Sequence, residues 1–194
     1  MLKPFEEYVE MAHQAHGHIC AGQILGLRLA LHGLALLGID DPTGRDRKRL
    51  VSFVEIDRCA TDAVTVVTGC RMGKRALKFR DFGKVAVTFA DLANDRAVRV
   101  AAKDSSRQLA RDRYPEIQDK NQQQMKAYRE LADEELFSHQ WVRVKVLPED
   151  LPGWKGEKTV CEQCRETINF RREVVREGRT LCRACAGEAY YTPA

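Results

Sequence analysis

Four of the seven cysteines in this 194-residue chain form two Cys-x-x-Cys pairs near its C-terminus. Cys161 and Cys164 make the first pair, Cys182 and Cys185 the second, and 17 residues separate the pairs. Two pairs at this spacing are typical of a structural zinc site, in which each pair supplies two corners of a thiolate tetrahedron. Because four protein ligands fill the zinc shell, we expect a structural rather than a catalytic site.

The same cysteines predict how the tail folds. The first pair is expected in a tight knuckle, residues 168–181 in a hairpin that turns at Glu177-Gly178, and the second pair at the start of a short helix. Together these elements make a treble-clef zinc finger. So short a segment, with few apolar positions, cannot fold alone, so metal binding would also supply its folding energy. Two redox-active dithiols are the alternative, but neither pair is flanked by a thioredoxin-like strand and helix.

The segment Leu147–Gly153 contains two prolines and a glycine and is the predicted domain boundary, which gives domains 1–152 and 153–194. Hydrophobic periodicity predicts helices at 4–15 and 23–37, surface helices within 105–138, and strands at 50–57, 85–89, 97–100 and 140–146. Since no regular crossover helices separate the strands, we expect an α+β class, a layered core with a mainly antiparallel sheet.

Two shorter segments are less regular. Between Cys59 and Cys70, Thr61 or Asp62 can cap a short helix that Gly69 ends, although the β-branched run Val64–Thr68 also fits a strand. Asp81–Lys84 resembles a hairpin turn. Within the long apolar helix, Gly22, Gly26 and Ala30 recur every four residues and form one thin face, which another backbone can approach closely.

Composition limits the possible functions. The charged fraction is 31% and the net charge only +4, with no run of like charges, so nothing favours nucleic-acid binding. No apolar stretch is long enough to span a membrane, and the N-terminus lacks a signal-peptide pattern, so we expect a cytoplasmic protein. An odd number of cysteines in a reducing compartment indicates metal rather than disulfides.

A second group of soft ligands lies near the N-terminus. His16, His18 and Cys20 fall within five residues, and imidazole and thiolate bind metals such as zinc. In a continuous helix His16 and Cys20 would share one face and His18 would lie on another. All three therefore converge only if Gly17 interrupts the helix or the segment is a loop. The alternative is two structural histidines and an inert buried cysteine.

Several motifs in order make a resemblance recognisable. His16–Cys20 is followed by Gly22–Arg28, then by Asp57–Ala63, Thr68–Lys74 and Asp81–Lys84. This series resembles the FmdE family of formylmethanofuran dehydrogenase proteins, named after one subunit of a molybdenum or tungsten enzyme of methanogenesis. Members also occur as stand-alone proteins in organisms that make no methane. The resemblance implies a cytoplasmic prokaryotic homodimer with an α+β core and a C-terminal zinc finger.

Position by position, the resemblance also implies a core pocket. Its candidate residues are His16, His18, Cys20, Cys59, Asp62 and Cys70, with Lys74 and Lys84 as nearby cations for a small anionic substrate such as a C1 carrier.

The leading hypothesis places a second transition metal in this pocket. His18 and two or three thiolates of Cys20, Cys59 and Cys70 would hold it, in a Lewis-acid or redox site with an open position. His16 would be a ligand or would orient one, and Asp62 would accept a hydrogen bond from an imidazole. His18, Cys20, Cys59 and Asp62 are thus the candidate catalytic residues.

Two alternatives need no catalysis. The chain could be an accessory, regulatory or metal-delivery subunit of a molybdenum or tungsten oxidoreductase. It could also be a zinc-finger regulator that binds nucleic acid, against which the weak charge bias argues.

Overall fold

In the computed structural model of the chain, residues 1–193 are described. They divide into two compact units, of which the first is Met1–Lys145 and the second begins at Val146. No helix in residues 1–193 is long and apolar enough to cross a membrane.

The first unit is a five-stranded sheet with helices. Its helices are α1 (Phe5–His16), α2 (Ala21–Leu37), α3 (Cys59–Thr68), α4 (Ser105–Arg113), α5 (Lys120–Glu130) and α6 (Asp133–Leu136). Its strands are β1 (Leu50–Val54), β2 (Leu77–Phe79), β3 (Ala86–Asp91), β4 (Arg96–Ala102) and β5 (Phe137–Val142), in the spatial order β2-β1-β3-β4-β5. Only β1 and β2 pair in parallel, which confirms the predicted α+β class with a mainly antiparallel sheet.

Helix α2 lies at the centre of this unit, as its all-round apolar sequence predicts. Ile24, Leu27 and Leu34 are fully buried, and Gly38 ends the helix in a left-handed conformation. The thin face is confirmed at Gly26, where an added Cβ would lie 2.6 Å from the carbonyl oxygen of Ala60. Helices α2 and α3 therefore cross with their backbones nearly in contact.

Residues 59–68 form helix α3 rather than a strand, and Gly69 ends it at φ +67°. The helix connects β1 to β2 and so makes their parallel pairing possible. The predicted hairpin at Asp81–Lys84 is wrong, because β1 lies between β2 and β3 and separates the two strands that this turn would join.

The second unit contains two short hairpins and a helical turn. Strands β6 (Thr159–Val160) and β7 (Thr167–Ile168) flank the first cysteine pair, and β8 (Val174–Arg176) pairs with β9 (Arg179–Leu181). Glu177 and Gly178 both have positive φ, which is the geometry of a tight hairpin turn, as predicted. The short helical segment Ala184–Glu188 carries the last cysteine.

Candidate metal centre and its neighbouring cavity

The four tail cysteines form a cluster of metal-ligand geometry. Their Sγ atoms all lie within 4.8 Å of one another, and Cys164 Sγ is 3.9 Å from Cys182 Sγ. A zinc–thiolate tetrahedron with bonds of about 2.3 Å has sulfur–sulfur edges of about 3.8 Å. Over residues 1–193 this is the one group of three or more His, Cys, Asp or Glu side chains close enough to share an ion. The donor set fits zinc.

Backbone N–H groups point at these sulfurs. Cys182 N donates to Cys161 Sγ at 3.3 Å, and Cys185 N donates to Cys182 Sγ at 3.4 Å. The backbone N–H groups of Cys164 and Cys182 lower the pKa of the Cys161 thiol to about 6, whereas the Cys182 side chain raises the pKa of Cys185 to about 12. Four thiolates this close repel one another unless a cation lies among them, so the cluster requires the metal to become fully ionised.

In the first unit, the segment His16–Cys20 is not a continuous helix, and this is a condition under which its three ligand side chains can converge. Helix α1 ends at His16, and Gly17 takes a left-handed φ of +87°. Cys20 then adopts an extended conformation as the N-cap of α2, where its N–H donates to Gln23 Oε1 at 3.2 Å. The glycine therefore frees His18 and Cys20 from the helical spacing of α1.

Helix α3 supplies the facing residues. His16 Nδ1 lies 2.8 Å from Asp62 Oδ2, and the His16 and His18 rings are 4.8 Å apart between centroids. Burial, together with the nearby Cys20 side chain, raises the pKa of the Cys59 thiol. The two segments that contain these residues thus meet, although His16 and Asp62 are 46 residues apart in the chain.

A cavity of about 640 Å³ adjoins the two thiols, and Cys20 and Cys59 both line it. Its volume falls within the range of small-molecule sites. His16, His18 and Asp62 are not among its lining residues. The remaining lining residues are Ala21, Gly22, Leu25, Ile56, Asp57, Arg58, Ala60, Gly83, Val85, Arg107, Asn121, Gln124 and Tyr128.

Cys70 and Lys74 lie elsewhere. Cys70 follows the other end of α3, whose ten residues span about 15 Å. Its side chain is 2% exposed, its Sγ donates to Leu50 O at 3.7 Å, and burial raises its pKa. Lys74 lies beside Cys70 in a short 3-10 turn, whereas Lys84 lines a second cavity that adjoins the first. The structure therefore separates Cys70 from Cys20 and Cys59.

The polar residues that α5 contributes to the cavity were not identified from the sequence. Asn121 Oδ1 accepts a hydrogen bond of 2.8 Å from the N–H of Ala21, which ties α5 to the first turn of α2. Asn121, Gln124 and Tyr128 follow one another at intervals of three and four residues and so share one helix face. This spacing could have identified the three residues as one functional face, although the segment otherwise resembles a surface helix.

Comparisons with known proteins agree with both units. The model of the family described as "FmdE, Molybdenum formylmethanofuran dehydrogenase operon" matches residues 15–145, and that of the "Prokaryotic dksA/traR C4-type zinc finger" matches residues 156–191. The solved structure of an FmdE-like protein of tungsten formylmethanofuran dehydrogenase, from Syntrophus aciditrophicus, shares the fold. Its TM-score is 0.64 at 24% identity, and the match covers 97% of this chain and 95% of that one.

One curated relative matches over most of this chain. It is a "Probable S-adenosyl-L-methionine-binding protein" of Archaeoglobus fulgidus, 29% identical over an alignment of 198 positions that covers 92% of this chain and 52% of the relative. The chain thus spans about half of that protein's length.

Proposed function

The chain belongs to the FmdE family, and from this premise we propose that its first unit holds a transition-metal ion through Cys20, Cys59 and His18, at the edge of a substrate cavity. One observation carries the proposal. The two thiols come from the N-terminal ends of different helices and line the same cavity of about 640 Å³, and His18 lies two residues before Cys20 in the chain. Binding would draw the His18 imidazole towards the two sulfurs, a movement that the break at Gly17 permits.

Both thiols lie at the N-terminal ends of helices. Cys20 caps the N-terminus of α2 and Cys59 is the first residue of α3, so the positive ends of two helix dipoles lie at the sulfurs. Burial and the neighbouring Cys20 side chain raise the pKa of the Cys59 thiol. A divalent cation between the two thiols opposes this rise, because it compensates both charges at once.

The neighbouring residues would orient the ligands and the substrate. Asp62 holds His16 by its 2.8 Å hydrogen bond, and this fixed ring packs against the His18 ring. Three protein ligands would leave a position open, and a bound ion would supply Lewis-acid or redox chemistry there. The substrate would enter through the cavity. A C1-carrying substrate follows from the family name alone and is proposed on that basis.

A second candidate function is binding of S-adenosyl-L-methionine. It is favoured by the relative of that description, whose match covers 92% of this chain. The cavity of about 640 Å³ has room for a ligand of this size. Calorimetric titration of the metal-loaded chain with this compound tests the second function. A saturable binding heat, with an affinity that Gln124→Ala lowers, would support it, and the absence of a saturable heat would contradict it.

The metal proposal is tested by exchanging one thiol at a time in the full chain. Cys59→Ser should lower the metal content by one equivalent per chain, and the ion in the tail should stay bound. In the Co²⁺-loaded protein, the charge-transfer absorption that comes from the core thiolates should be lost. Cys70→Ser is the matched control, because its side chain lies beyond the far end of α3 and should leave both signals unchanged. Elemental analysis and absorption spectra give the readout.

Two outcomes would contradict the proposal. One is an unchanged metal content in Cys59→Ser, and the other is an equal loss in Cys59→Ser and Cys70→Ser. If the wild type binds the core metal but turns over no candidate substrate, the accessory or metal-delivery role in a molybdenum or tungsten oxidoreductase becomes the better account. Size-exclusion chromatography with light scattering tests the homodimer that the resemblance implies.

A further inference from the structure

The second cavity, of about 500 Å³, lies next to the one that holds the thiols. The two cavities share part of their lining, so a single ligand can occupy both. The shared residues are Leu25, Ile56, Gly83, Val85, Arg107 and Tyr128. Four of these are apolar, which makes the connecting region suited to an uncharged part of a ligand.

Cations dominate the wall of the second cavity. Lys84, Lys103 and Arg107 line it, and no carboxylate in residues 1–193 pairs with any of them. Lys103 Nζ donates to the carbonyl oxygen of Glu134 at 2.6 Å, which leaves its charge uncompensated. A fourth cation, Arg99, is neutralised by Glu55, and Asp104 is the one acidic residue in the lining. The wall therefore carries a net positive charge that the protein does not balance.

Two largely buried residues also bring hydroxyl groups to this cavity. Ser106 and Tyr128 are each 2% exposed and both line the cavity. Among the described residues, no group donates to or accepts from either hydroxyl. Since neither oxygen is among the fully buried side-chain atoms that lack a partner, both hydroxyls reach open space, and the cavity that their residues line is where a ligand can bond to them. Ser106 also lies in the first turn of α4, a nine-residue helix whose N-terminus favours an anion.

We propose that the second cavity binds the phosphate or carboxylate end of a ligand, through Ser106, Tyr128, Lys84 and Arg107. The other end of that ligand reaches the thiols in the first cavity. Only the placement of the ligand's other end at the thiols rests on the proposed function. The anion site itself is argued from the charges and hydroxyls described above.

The test uses the full chain and two simple probes, inorganic phosphate and succinate, at constant ionic strength. Each probe is titrated while the amide resonances of Lys103–Arg107 are followed by NMR. Saturable shifts with phosphate indicate a phosphorylated ligand, and saturable shifts with succinate indicate a carboxylate one. If neither probe gives a saturable response, the proposal is wrong.

Variants on α4 distinguish a specific binding site from nonspecific attraction of the anionic probe to surface cations. Arg107→Gln should weaken the binding of the effective probe about tenfold or more, because a charge-assisted contact is lost. Arg111→Gln is the matched control, since Arg111 lies one turn further along the same helix, bonds to Gln108 and lines neither cavity. Equal weakening in both variants would overturn the proposal.

Tyr128→Phe removes only a hydroxyl that has no partner among the described residues. It should weaken probe binding while leaving the thermal midpoint of the free chain unchanged or raised, a combination that a structural role for this hydroxyl would not produce. Cys59→Ser should retain probe binding. If the wild type holds no metal in its core but still binds the probe, the proposed function is refuted and the anion site is not. If the wild type holds the core metal but does not bind the probe, only the anion site is refuted.

Discussion

The two cysteine clusters of this molecule are organised in opposite ways. The tail cluster draws four thiols from residues 161–185, and their sulfurs lie within 4.8 Å of one another. The core cluster draws its thiols and imidazoles from two segments that meet only because α2 crosses α3 closely at Gly26. Short connections fix the tail geometry locally, whereas the core geometry depends on tertiary packing.

This difference also separates what metal does for each unit. The second unit buries only a small apolar cluster, centred on Cys161, Ile168 and Leu181, so its fold depends on the ion. The first unit buries a large apolar core that includes Ile24, Leu27 and Phe89, and its fold does not need metal. Metal should therefore act as a structural element in the tail and as a functional one in the core.

Removing metal should give the largest effect and should affect the two units unequally. A strong chelator withdraws a binding free energy of about 10–16 kcal/mol from a structural zinc site of this kind. We expect amide protection to be lost across β8 and β9 and retained in α2, measured by hydrogen exchange with mass spectrometry. Protected β8 and β9 amides in the chelated protein would show that the tail folds without its ion.

A smaller effect is expected where the core cluster depends on helix packing. Gly26→Ala places a Cβ 2.7 Å from the Cα of Ala60 and should cost about 1–3 kcal/mol in the free energy of unfolding. It should also weaken Co²⁺ binding in the core and not in the tail, since it pushes α3 away from α2. Urea denaturation and Co²⁺ titration measure the two effects.

Gly22→Ala is the control for that variant. Its Cβ would lie 3.5 Å from the Cβ of Cys59, an ordinary contact, and alanine favours a helix over glycine by up to about 1 kcal/mol. Its stability should therefore be unchanged or raised. A Gly26→Ala protein as stable as Gly22→Ala would mean that the close crossing does not control the core site.

The sequence was informative where structure is local. The zinc ligands, the turn at Glu177-Gly178 and helices α1 and α2 were all anticipated, because glycine, cysteine spacing and apolar periodicity act over a few residues. The interruption at Gly17 was recognised only as one condition under which the N-terminal ligands could converge. The α+β class and the membership of the FmdE family were also anticipated and are confirmed.

Long-range placement was harder to anticipate. The hairpin predicted at Asp81–Lys84 failed because the crossover through α3 sets β2 on the far side of β1, and nothing in the local turn residues records that order. Cys59 and Cys70 bracket one short element in the sequence, and the structure places Cys70 beyond the opposite end of α3 from Cys59. The sequence did not predict that polar residues of α5 line the cavity. A helix face that is polar because it meets an internal cavity has the same periodicity as one that meets solvent.

The most direct test of the account is the position of metal in the full chain. Anomalous diffraction at the zinc edge, from crystals grown with zinc, should show one peak among Cys161, Cys164, Cys182 and Cys185. A second peak is expected within bonding distance of Cys20 and Cys59, with His18 as a further ligand. A map with the tail peak and none at the core thiols would contradict the proposed metal-dependent function of the first unit.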